Sequence, residues 1–284
     1  MFYKLLNSYT QRFGFPKRGL RFFLKGMRML GIADKVYLKK IGNNLRMYLM
    51  PEDHVQQQLF WYECYEKPVE AGLKKLLNSD GVFIDIGANV GYFSLYASRL
   101  APQGKIIAFE PVSYLFGALQ KNIEVNGIKN IQAVKAAIGE RNEEKEIYLS
   151  AADNTGMSSF GRPENFSGKK ELVKIFSFDN WFASSGLTKV DLIKIDAEGF
   201  ELAVLKGMQE TIALFKPYII MEMNPQTLSY FQLTAADLLN YTAELSYLPF
   251  VVSDEGKLKP ADKTDVAKEV TLALISSAGT IEIN

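Results

Sequence analysis

The chain has 284 residues, 48% hydrophobic and 23% charged, a balance that fits one large globular domain or a domain with a cap. Its single cysteine, Cys64, and single histidine, His54, exclude an internal disulfide, a cysteine-based zinc site and any two-histidine metal motif, and no motif frames them as a nucleophile pair. No uninterrupted apolar run nears the ~18 residues of a membrane span, and MFYKLLNSYTQRF lacks the apolar core of a signal peptide, so a cytoplasmic protein is expected.

The net charge of +1 is unevenly placed: residues 1–35 carry eight lysines and arginines against one acid, Asp34, while the rest of the chain is acidic. Over 18–31, Arg18, Arg21, Lys25 and Arg28 share one helical face, with Leu20, Phe23, Leu24, Met27 and Leu30 on the other. Such a helix is expected to dock as a cap beside an acceptor pocket, with peripheral membrane contact as the second reading. Residues 36–50 read as a hairpin turning at Gly42-Asn43-Asn44, and a helix follows from about Glu66 with Pro68 in its first turn. These elements make up an expected N-terminal cap region over residues 1–78, and the main domain spans 79–284.

From residue 79 strands alternate with helices. Strand Val82–Ile86 feeds a helix over Gly91–Leu100, and strand Lys105–Phe109 feeds one over Ser113–Asn126, capped by Ser113 and ended by Gly127. A third strand is read at Ile131–Ala136. The section 138–180 is less regular, with a polar loop, DNTGMSSF, and strand-like Leu172–Phe178. VDLIKID and PYIIMEM read as strands with a helix near Phe200–Leu205 between them. A helix near 234–245 and strands near 247–252 and 269–276 complete the pattern. The alternation predicts an α/β fold with a mostly parallel sheet covered by helices on both faces.

In such sheets ligands bind where strands feed helices. In VFIDIGANVGYFSLYA, Gly87 and Gly91 permit a turn closed to other residues, and the following helix, which includes Phe93, points its free N–H groups at that turn. A dinucleotide fingerprint requires a third-position glycine; Asn89 stands there, and Asp85 would repel a pyrophosphate. Asp85 suits a cationic amine, Asn89 with the helix N–H groups a carboxylate, and Glu110 two ribose hydroxyls. A ligand with those three groups is S-adenosyl-L-methionine, the expected co-substrate.

FIDIGANVGYFSL, IIAFEP, AAIGE, NTGMSS and VDLIKIDAEGFELAVLKGM, in this order over roughly residues 65–223, resemble the FkbM family of methyltransferases. The resemblance implies a class I methyltransferase (Rossmann-like) fold with a seven-stranded sheet, and methyl transfer to a hydroxyl of a sugar, glycolipid or other natural product. It also implies that Ala136 and Ala137 lie near the adenine, with Pro111 and Val112 over its other face. KIDAEGFE would bring Asp196, Glu198 and Glu201 near the transferred methyl, with Glu222 and Asn224 ending the next strand. Asp196 is expected as the direct base, Glu198 and Glu222 as its companions, Glu201 as a solvated acid, and Lys194 as a partner of Glu222. A Mg²⁺ ion on Asp196, Glu222 and Asn224 is the less favoured route. His54 is expected at the surface. The acceptor is expected to be a small molecule or a glycan. RNA is disfavoured because no nucleic-acid-binding module is recognisable, and a non-catalytic scaffold because the acids are intact.

Overall fold

A computed structural model describes residues 34–150, 154–162 and 166–278, together with positions 26, 29 and 31. The expectations attached to the basic arm fall almost wholly outside these described residues. A hairpin comes first: β1 (Tyr37–Lys40) and β2 (Arg46–Leu49) turn where Asn43 and Asn44 take φ of +57° and +60°, a conformation asparagine tolerates. Helix α1 (His54–Tyr62), not expected from the sequence, starts at an N-cap: Asp53 Oδ1 accepts from the Gln56 N–H at 2.9 Å. Helix α2 is Lys67–Leu76.

The alternating part follows: β3 (Val82–Ile86), α3 (Tyr92–Leu100), β4 (Lys105–Phe109), α4 (Ser113–Val125), β5 (Ile131–Val134) and a short β6 (Ala137–Ile138). Two long strands, β7 (Glu143–Ser150) and β8 (Phe166–Phe176), fill the section read as irregular, and α5 (Phe178–Ser185) follows. Then come β9 (Leu192–Ile195), α6 (Glu201–Lys206), α7 (Gln209–Phe215), β10 (Tyr218–Met223), α8 (Pro225–Ser229), α9 (Ala235–Glu244), β11 (Tyr247–Val252), β12 (Leu258–Pro260) and β13 (Val270–Ser276). No helix among the described residues is long and apolar enough to cross a membrane.

The main sheet runs β12-β11-β13-β10-β9-β3-β4-β5. Strands β5, β4, β3, β9 and β10 pair in parallel, and β13 runs antiparallel to both of its neighbours. The sheet has eight strands where seven were expected, with β12 pairing on the edge beside β11. The third strand ends at Val134, earlier than expected, because the chain leaves the main sheet there. Ala137 instead pairs with Ile175 in a second sheet, β6-β8-β7. Alternate residues of each central strand face opposite cores: Phe83, Leu192 and Ile220 pack on one side, and Ile84, Ile193 and Ile219 on the other.

The N-terminal elements share the first of these cores, where Leu45, Met47, Leu49, Phe60, Trp61 and Leu73 pack with Phe83 and Leu95. The hairpin is also tied to α4, since Asn122 Oδ1 accepts from the Tyr48 N–H at 2.7 Å. Ser113 is the first residue of α4 and not its cap; the carboxylates of Glu110 and Glu171 accept from the N–H groups of Val112 and Ser113.

Two glycines separate fit from conformation. Gly87 has φ +79°, and a Cβ there would lie 1.9 Å from the carbonyl oxygen of Asp196. Gly168 has φ +83° with nothing within 4 Å. Gly87→Ala is therefore expected to cost about 3 kcal/mol or more in urea unfolding, and Gly168→Ala only about 1 kcal/mol. Equal losses would contradict this account.

Candidate active site

The carboxyl ends of β3, β4, β9 and β10 open on one cavity of about 340 Å³. One end is built by the turn from β3 into α3. The Gly87 and Ala88 N–H groups donate to the Phe109 carbonyl at 3.1 and 2.9 Å, and Asn89 stands at φ +52° with its N–H donating to Glu110 Oε2 at 2.8 Å. Asn89 Oδ1 accepts from the Val90 N–H at 2.7 Å. Glu110 Oε1 accepts from the Val112 N–H at 2.9 Å, so each carboxylate oxygen keeps acceptor capacity for a ligand hydroxyl. Gly87, Asn89, Phe93, Glu110, Pro111, Val112, Ala136 and Ala137 all line this cavity.

Asp85 and Gly91 do not line it. The Asp85 side chain is fully buried, accepts from Ser94 Oγ at 2.5 Å and lies 3.9 Å from Lys194 Nζ, so it is not a wall on which an amine could rest. Gly91 is required by its φ of +91° and by Leu119, whose Cδ1 would lie 2.5 Å from an added Cβ. The glycines thus answer to protein neighbours as much as to a ligand.

At the other end stand Asp196, Glu198 and Glu222, with one carboxylate oxygen of each lying within 4.8 Å of the others. Lys194 pairs with Asp196 at 3.0 Å and with Asp85, not with Glu222 as expected, and its ammonium lies 5.2 Å from the centre of the Phe93 ring. Burial opposes the Lys194 charge, yet Asp196, Asp85 and Glu66 hold its pKa above the ordinary lysine value. Burial, reinforced by Asp196 and the other neighbouring acids, pushes Glu198 and Glu222 well above the usual carboxylate range. Asp196 instead faces the Lys194 ammonium. Those three acids could hold a divalent cation, but Asn224 is otherwise engaged. Its Oδ1 accepts from the Gln226 N–H at 3.0 Å as the N-cap of α8, and its Nδ2 donates to Glu269 at 2.9 Å. Glu201 is buried and not solvated; its Oε1 accepts from the Ala197 and Gly199 N–H groups, each at 3.1 Å.

Sequence reasoning missed Tyr65, Tyr92, Phe160 and Glu269 as lining residues; His54 is exposed, as expected, and also lines the cavity. Tyr92 was within reach, as it adjoins Gly91. The polar loop does fold over the cavity: Asn154, Gly156, Met157, Ser158, Ser159 and Phe160 line it as a strap.

The strand order, the glycine turn and the acid ending β4 define a class I methyltransferase. The chain belongs to the FkbM methyltransferases: residues 85–249 match the family described as Methyltransferase FkbM domain. Methyltransferase sdnD of Sordaria araneosa is 29% identical over 186 residues, covering 55% of this chain and 68% of that protein. The 2-O-methyltransferase NoeI of Sinorhizobium fredii is 25% identical over 174 residues, covering 57% of this chain and 70% of that protein. A solved methyltransferase FkbM from Methylobacillus flagellatus KT aligns over 78% of this chain and 55% of its own, with TM-score 0.46 and 16% identity.

Two outcomes follow from the buried charges. Lys194→Met strands Asp85 without its cation and is expected to cost about 3 kcal/mol or more in urea unfolding at pH 7. That cost should shrink at pH 5, where burial, which raises the Asp85 pKa, favours its neutral form; a penalty independent of pH would count against the pairing. Separately, burial lifts Glu66, Glu110 and Glu201 from the ordinary 4.5 to about 7. Their folded values exceed the unfolded ones, so the stability they contribute is full below about pH 4.5 and is lost as pH rises through about 7. Unfolding free energy of the ligand-free chain should fall across that window, and Glu110→Gln should flatten the slope.

Proposed function

We propose that this methyltransferase moves the methyl group of S-adenosylmethionine to a hydroxyl of a small-molecule or glycan acceptor. The observation that carries the reading is one cavity with Glu110 at the donor end and the Asp196–Glu198–Glu222 group at the other. Glu110 would accept from the ribose hydroxyls, and Asn89 with the start of α3 would face the donor's carboxylate. Ala136 and Ala137 would leave room for the adenine beside Pro111 and Val112. The role expected of Asp85 becomes indirect: through Ser94 it steadies α3 behind the donor turn.

The reaction is an in-line displacement. A bond forms from the acceptor oxygen to the methyl carbon, the carbon–sulfur bond breaks, and its electron pair neutralises the sulfonium. Alignment provides most of the acceleration. The acceptor's proton goes to Glu198 or Glu222, whose affinity for protons burial and the neighbouring acids raise above that of an ordinary carboxylate. Lys194 holds Asp196 in place beside them. This route needs no metal, because an ammonium already supplies the positive charge among these acids. The 2-O-methyltransferase NoeI supports a hydroxyl acceptor by kinship.

S-adenosylhomocysteine should bind with micromolar affinity, about 8 kcal/mol, and Glu110→Gln should weaken it by roughly 10- to 100-fold in calorimetry. A mass-spectrometric screen of sugars and hydroxylated natural products with methyl-labelled donor should find a labelled ether product. With that product as readout, Glu198→Gln and Glu222→Gln should each lower kcat by about 10²-fold, with S-adenosylhomocysteine affinity nearly unchanged. EDTA should leave transfer intact; loss on chelation with recovery on adding Mg²⁺ would make the acidic group a metal site.

A further inference from the structure

Ser159 lies in the strap and is buried. Its backbone pairs with Tyr148 of β7, with N–H to carbonyl bonds in both directions at 3.1 and 2.9 Å. Its hydroxyl accepts from the Gly161 N–H at 3.1 Å and donates to the Glu198 carbonyl at 2.7 Å. That carbonyl belongs to the Glu198–Gly199 peptide, whose N–H donates to Glu201 Oε1 at 3.1 Å. One peptide group is thus held at both ends by two buried side chains from different parts of the chain.

The peptide needs holding. Glu198 has φ +51°, a left-handed conformation that costs a non-glycine residue about 1–2 kcal/mol. Gly199 follows at φ +95°, with the Thr227 carbonyl 2.3 Å from where a Cβ would sit. Released from its clamp, the Glu198 backbone would relax to an ordinary region, and its side chain would turn with it. The strap also reaches the donor turn: a Cβ on Gly156 would lie 3.2 Å from Asn89 Nδ2.

We propose that Ser159 is a positioning residue for methyl transfer: its hydroxyl fixes the Glu198–Gly199 peptide against Glu201 and so aims the Glu198 carboxylate at Asp196 and Glu222. The inference rests on the reading of Glu198 as part of the transfer site. It concerns a residue that touches no reacting atom and acts through another.

The test reads Glu198 directly. The full chain is labelled with ¹³C at the glutamate δ-carboxyl, and the Glu198 resonance is identified by its loss in Glu198→Gln. Its titration midpoint in the parent should lie above the ordinary glutamate value. Ser159→Ala, and Ser159→Cys as a variant of closer shape with a weak donor, should lower that midpoint by about one pH unit or more as the carboxylate leaves its acidic neighbours. Ser159→Thr, which keeps the hydroxyl, should hold it within about 0.3 units, and the Glu110 midpoint should stay put in every variant. An unmoved Glu198 midpoint in either the alanine or the cysteine variant overturns the proposal. So does a Glu110 midpoint that moves as far as that of Glu198, since this would mean general loosening. Calorimetry with S-adenosylhomocysteine on the parent reports the donor reading separately, because the carboxyl comparison does not depend on donor binding.

Discussion

The site hangs on one buried ammonium. Lys194 on β9 stands in register opposite Asp85 on β3, and two residues later the same strand delivers Asp196. Asp85 in turn holds Ser94 on the helix that follows the glycine turn. A single charge therefore joins the donor turn to the acids at the other end of the cavity. Such an arrangement is costly to desolvate and is expected to specify geometry more than to add stability. It also explains why an acid stands two residues before Gly87 without lining the cavity.

The remaining acids are poised against one another. Glu66, Asp196, Glu198, Glu222 and Glu269 interact across a small volume, and Lys194 is the cation beside Glu66 and Asp196. Held in low dielectric, Glu66, Glu198 and Glu222 resist full ionisation, and this is strain kept at a functional site at some expense of stability. On the reading proposed above, a sulfonium donor brings positive charge into this surrounding. Its arrival would favour the ionised forms, so donor binding and readiness to accept a proton would be linked.

Much of this was legible in the sequence where the signal is local. Short apolar strands alternating with helices gave away β3, β4, β9 and β10, and the acids at their ends could be placed by counting. What failed was pairing. Lys194 could be seen inside a strand, but its partner depends on the register between β3 and β9, which no local pattern carries. The β7–β8 hairpin was hidden because EEKEIYLS and FSGKKELVKIF bury only two residues each, which dilutes the alternation expected of a half-buried strand. Helix α1 was hidden by the polar run Gln56-Gln57-Gln58, although Asp53 offered a cap. Tyr65 and Glu269 reach the cavity from connecting segments far apart in the chain, and only the folded chain brings them there.

The position of β13 has a consequence for how the molecule is made. The latest described strand in the chain inserts between β10 and β11, both synthesised before it, and runs antiparallel to each. Until it arrives, those two strands face an open slot with unpaired backbone groups. A ribosome-bound chain lacking this segment therefore carries two exposed sheet edges beside apolar Ile219, Met221 and Tyr247, a combination that invites association with other chains. Completion of the sheet must wait until the segment carrying β13 has been made, and until then the slot between β10 and β11 stays open.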